Sequence, residues 1–176
     1  EQLWEYYSKN RGKIRSRYND LTKKFLAYND SNENSDAFLR EPQFEALEMY
    51  VFVKEFMGNP QVYQMFDDWR NKRGNFSDAS YYSLSKSGQI TIFDAPTEKI
   101  TDTLFKQMKK YREAYPNYIY ALTMGLGKTI LMATCIFYEF LLAKKYPKDK
   151  RFCHNALVFA PDKTVLQSLR EIMTFD

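Results

Sequence analysis

The 176 residues include 14 Tyr and 14 Phe and are 44% hydrophobic, more large apolar surface than a disordered chain carries, so a folded protein is expected. The net charge of +4 helps a polyanion approach but does not demand one. Cys135 and Cys153 have no second pair, so neither a disulfide framework nor a zinc site is suggested, and a reducing cytoplasm fits best. The apolar run from Ile130 to Ala143, broken by Thr134 and Glu139, is too short to cross a bilayer, so no membrane partner is expected. The opening residues Glu1 to Glu5 show no signal peptide.

Leu3, Trp4, Tyr7, Ile14, Tyr18, Leu21, Phe25 and Leu26 recur at three- and four-residue spacing, which predicts one amphipathic helix over the first 28 residues, with a break near Gly12. Asn29 to Asp36 lacks apolar residues and reads as a linker. Helical spacing returns from Pro42 to Met57, and Gly58-Asn59-Pro60 ends it. A shorter helix follows to about Asn71, then a loop from Lys72 to Asp78. Tyr81 to Leu84 and Gln89 to Phe93, around Ser85 to Gly88, predict a β-hairpin. Thr97 opens a helix to about Ala114, closed by Pro116-Asn117.

The last sixty residues alternate. Asn117 to Leu122 reads as an apolar strand, Met124 to Gly127 as a glycine turn, Lys128 to Lys145 as a long helix, Ala156 to Ala160 as a second strand and Asp162 to Met173 as a helix. Strand, helix, strand, helix predicts an α/β protein with a parallel sheet covered on both faces. The organisation expected is a helix and linker over 1–36, a helix with an inserted hairpin over 37–116, and a partial nucleotide-binding domain over 117–176.

The strongest chemical signal is Leu122-Thr123-Met124-Gly125-Leu126-Gly127-Lys128-Thr129, set between a predicted strand and helix. A loop without bulky side chains turns backbone N–H groups toward phosphate oxygens, and the helix N-terminus adds its positive partial charge. Lys128 would reach the β- and γ-phosphates of ATP, and the Thr129 hydroxyl would hold Mg²⁺. The full pattern G-x-x-x-x-G-K-[ST] is not met, because Leu122 stands at its first glycine. A plain Gly-Leu-Gly connection is the bland alternative.

Gly125-Leu126-Gly127-Lys128-Thr129 resembles motif I of superfamily 2 helicases and translocases. Phe38 to Leu47 is similar to the L-R-x-x-Q-x-x-A-L form of their Q motif, which implies that Gln43 pairs with the adenine edge; the alternative is a solvated helix-start residue. Ala156 to Thr164 resembles motif Ia, which implies nucleic-acid backbone contacts from Pro161, Lys163 and Thr164; the alternative is a strand followed by a helix capped by Asp162. Within the superfamily the stretch resembles the type III restriction-enzyme R-subunit group of DEAD/DEAH-box proteins. The resemblance covers roughly 38–57 and 117–173, with 58–116 as an insertion, and implies the first half of a RecA-like parallel sheet. It further implies ATP and Mg²⁺ as cofactors, DNA rather than RNA as partner, and restriction-system subunits as companions.

Hydrolysis needs a Mg²⁺-holding carboxylate and arginines from a second lobe. No Asp-Glu-x-x strand follows residue 173, and Asp67-Asp68 precedes the loop as a solvated pair, so no catalytic residue is expected in this chain, which would bind nucleotide weakly and turn it over negligibly. His154 and Cys153 read as ordinary strand-entry residues. The Lys144 to Arg151 cluster reads as a solvated helix end with nucleic-acid contact as the alternative, and Lys9, Arg11, Lys13, Arg15 and Arg17 are similarly ambiguous. Two further functions stay open: a P-loop signalling or small-substrate phosphotransfer protein, and an interaction module without activity.

Overall fold

The computed structural model describes residues 2–71, 73–76, 98–110 and 112–159, with positions 167 and 170. The chain forms two compact units, one from 1–17 with 52–119 and the other from 18–51 with 120–176. No helix among the described residues is long and apolar enough to cross a membrane.

The first unit begins with α1 (Gln2–Ser16) and includes a π-helical turn (Phe52–Phe56), α4 (Val62–Arg70), a 3₁₀ turn (Gly74–Phe76) and α5 (Glu98–Lys110). Its core is aromatic. Tyr6 and Tyr7 on α1 meet Phe52 at ring-centroid distances of 6.3 and 5.2 Å, Tyr6 meets Phe76 at 5.6 Å, and Phe52 stacks on Phe56 at 5.5 Å. Such pairs add to the burial of the rings themselves. The π-turn closes with Met57 N–H donating to the Phe52 carbonyl, and Gly58 and Asn59 then end the run in the left-handed region, at φ +78° and +58°.

The second unit holds α2 (Asp20–Asn29), α3 (Glu41–Val51) and α6 (Lys128–Lys145), with α2 and α3 both packed on α6. The single helix expected over the first 28 residues is two. Its break falls at 17–19, because the Asn19 side chain accepts from Thr22 N–H at 3.0 Å and opens a new helix there. Gly12 stays inside α1.

Tyr138 is the hub of this core. Fully buried, it meets Phe25 of α2 at 5.4 Å, Tyr50 of α3 at 6.2 Å and Phe152 at 5.9 Å. Beside it, buried Glu139 accepts from Tyr50 Oη at 2.6 Å through Oε1 and from Cys153 N–H at 2.9 Å through Oε2. A buried carboxylate is costly unless hydrogen-bonded, and these two bonds tie α6 both to α3 and to the chain that follows it. Burial, reinforced by the Glu139 charge, holds the Tyr50 hydroxyl far above the usual phenol range, so it stays a donor.

The predicted parallel sheet is not present among the described residues. The described residues contain no β-strand and no RecA-like half-sheet, and the two segments read as covered strands, 117–122 and 156–159, are irregular. Ile119, Leu157 and Phe159 are 94%, 80% and 84% exposed. A parallel strand is defined by a hydrogen-bonded neighbour and by cover on both faces, and neither condition is met. What sequence pattern reads as a strand is here an apolar stretch without a ladder. The predicted hairpin at 81–93 and the helix at 162–173 lie outside the described residues, apart from helical positions 167 and 170.

Candidate phosphate-binding loop

The loop from Leu122 to Gly127 leads into α6, which runs from Lys128 to Lys145 as its spacing predicts. Gly125 and Gly127 both lie in the left-handed region, at φ +78° and +66°. Gly127 is the N-cap of α6 and provides no capping side chain. That differs from α2, where Asn19 supplies an oxygen to the first turn. The first amides of any helix find no intrahelical carbonyl. With glycine as the cap, no cap side chain reaches those of α6, and the helix dipole there favours negative charge.

Lys128 opens α6, and its ammonium donates back to the Thr123 carbonyl at 2.9 Å, spanning the turn from within. It forms no ion pair among the described residues. Met124 at the tip is 95% exposed, and the Leu126 and Thr129 side chains are half-buried. The loop closes on itself and holds its lysine beside the glycine turn.

Gln43 reaches the same turn from α3. Its residue is 2% exposed. Its Oε1 accepts from Arg40 N–H at 2.8 Å, and its Nε2 donates to the Gly127 carbonyl at 2.9 Å. Arg40 immediately precedes α3 and Gln43 is its third residue, so the first bond is the reciprocal half of a capping box. Arg40 also donates from Nη1 to the Gly125 carbonyl at 3.2 Å. The Gly127 carbonyl accepts Leu131 N–H at 3.1 Å as well. Two side chains from one helix start therefore hold both glycine carbonyls of the loop. The pattern Leu39-Arg40-x-x-Gln43 carries the signal for this, but it implies a base contact for Gln43 and no role for Arg40.

The glycines differ in what a side chain would meet. A Cβ at Gly127 would stand 2.8 Å from Gln43 Nε2, whereas one at Gly125 would meet nothing within 4 Å. Gly125→Ala should cost about 1–2 kcal/mol of stability from backbone strain alone. Gly127→Ala should cost about 1 kcal/mol more, since the Gln43 bond goes too. Urea denaturation of the two variants checks the order, and equal losses would contradict the role given to Gln43.

Other sequence candidates fall elsewhere. Pro161, Lys163 and Thr164 lie outside the described residues. Asp67 pairs with Arg73 at 3.5 Å and accepts from Asn71 within the first unit. In the cluster after α6, Arg151 is held by Asp149 at 2.6 Å, while Lys144, Lys145, Lys148 and Lys150 are exposed.

The cysteines are also unlike. Burial is the main cause that pushes the Cys135 thiol from its ordinary 9.0 up to about 11; the Glu139 charge adds to it and a Tyr120 hydroxyl contact opposes it. Cys153 is exposed. At neutral pH maleimide should modify Cys153 at least about tenfold faster than Cys135, whose rate should climb as pH rises toward its higher thiol range. Mass mapping of the two peptides reads this directly.

The chain matches no family model, no curated protein and no solved structure.

Proposed function

We propose that this chain binds ATP with Mg²⁺ at the loop from Met124 to Thr129, as the front part of a DNA helicase or translocase of a restriction or phage-defence system. The observation that carries the reading is the start of α6: a left-handed glycine cap with no side chain to satisfy the helix, followed at once by Lys128 and Thr129. An N-terminus built this way suits phosphate. The donor set fits the cofactor. Lys128 would give up the Thr123 carbonyl for the β- and γ-phosphates, Gly125 and Gly127 let the backbone approach, and the Thr129 hydroxyl would take Mg²⁺. When bound, the metal neutralises phosphate charge.

The step from nucleotide binding to a nucleic-acid motor rests on the order of the motif-like segments and on the exposed lysines after α6. The half-sheet that the resemblance implies is absent among the described residues and lends it no support. Titration of the chain with a fluorescent ATP analogue tests the first part. Saturable binding, strengthened by Mg²⁺ and displaced by ATP, is expected, and no binding to the folded chain ends the proposal. Added duplex or single-stranded DNA should raise ATP affinity, since coupled sites act reciprocally. An effect from a small phosphate-accepting metabolite with none from DNA would instead favour the phosphotransfer reading.

A further inference from the structure

We infer that Gln43 and Arg40 are positioning residues that clamp the glycine turn through its two carbonyls, so that the site takes nucleoside triphosphates without Gln43 reading the base. The inference rests on the loop being a triphosphate site and concerns what that site selects.

A glutamine amide recognises adenine only when its donor and acceptor are both turned to the base edge. In Gln43 each polar atom is already engaged by backbone, Oε1 by Arg40 N–H and Nε2 by the Gly127 carbonyl. The residue is almost fully buried, which leaves no open edge for a heterocycle. Turning outward would break a capping contact of α3 and release the carbonyl of the residue that caps α6. Two helix starts would lose a partner for one base contact: the Gly127 carbonyl would keep only Leu131 N–H, and the Arg40 N–H at the start of α3 would lose its side-chain acceptor. The close fit at Gly127 points the same way: the Gln43 amide fills the space that any Cβ there would need. Arg40, bonded to the Gly125 carbonyl, holds the other side of the turn. Held at both carbonyls, the turn is pre-shaped for a polyphosphate, and base identity has no reader in Gln43.

Gln43→Glu separates the two roles. Glutamate serves a capping box as well as glutamine does, so α3 keeps its start, but the donor to Gly127 is lost and a carboxylate faces a carbonyl. With Mg²⁺ present, ATP and GTP should bind the unaltered chain within about threefold of each other, and Gln43→Glu should weaken both by the same factor, about tenfold. Helix content by circular dichroism should be unchanged. Arg40→Ala, which removes the exposed contact to Gly125, should weaken both by about threefold. An ATP preference above about tenfold that collapses in Gln43→Glu would overturn the inference and leave triphosphate binding standing. Unaltered affinities in both variants would overturn it too. If neither triphosphate binds the folded chain, the site assignment itself fails and the clamp with it.

Discussion

Lys128→Ala is expected to weaken Mg-ATP binding by about a hundredfold while leaving helix content unchanged. Lys128 is exposed at the first position of α6, and its ammonium donates to the Thr123 carbonyl in the same loop. In that bond a charge meets a neutral acceptor. Phosphate oxygens would replace that neutral acceptor with an anionic one, turning an ion–dipole contact into an ion pair, and that gain is what alanine would remove. Because Lys128 buries little and caps nothing else, the folded chain should survive its loss. Lys128→Arg keeps the charge but carries it on a longer, planar group, and an intermediate loss of about tenfold is expected. Calorimetric titration distinguishes the three proteins. A change below about threefold in Lys128→Ala would remove the lysine from the site.

The largest stability effect is expected at Tyr138. Its ring is fully buried among Phe25, Tyr50 and Phe152, and it stands next to Glu139, whose two bonds join α6 to α3 and to Cys153. Truncation leaves a cavity where elements of the second unit converge, and cavities add to the lost transfer energy. Tyr138→Ala should therefore cost about 3–5 kcal/mol in urea denaturation, enough to unfold a marginal unit. Tyr138→Phe keeps the ring and should cost about 1 kcal/mol. Near-equal losses in the two variants would mean that the hydroxyl, not the packed ring, is what matters there.

Helix α6 was legible because its information is local. Glycines stand before it, lysines close it, and the apolar residues between need no distant partner to be read as helix. That 117–122 and 156–159 form no ladder was not legible, for the opposite reason. Residues 117–122 and 156–159 are apolar enough for a buried strand, but a strand is made by its neighbour, and composition cannot say whether one exists. The break between α1 and α2 was misplaced at Gly12 because glycine lowers helix propensity by only about 1 kcal/mol, whereas Asn19 supplies a hydrogen bond that starts a helix anew. Gln43 is expected from the sequence at a base edge and stands in the structure against the Gly127 carbonyl. Its spacing identifies a helix start, while the bond to the Gly127 carbonyl depends on tertiary packing that no spacing reveals. Glu139 reads from sequence only as an interruption of an apolar run, since its partners Tyr50 and Cys153 both lie outside α6.

Gln43 and Gly127 meet across 84 positions of chain. Contacts of such separation must first meet the entropy of closing a long loop, and they form late and slowly when a protein folds. During synthesis the lysine-bearing turn emerges well after α3, so α3 waits with its glutamine side chain unmatched on the Gly127 side until α6 arrives. In refolding experiments the glycine turn should accordingly become ordered in the slowest phase, after the early helices have formed.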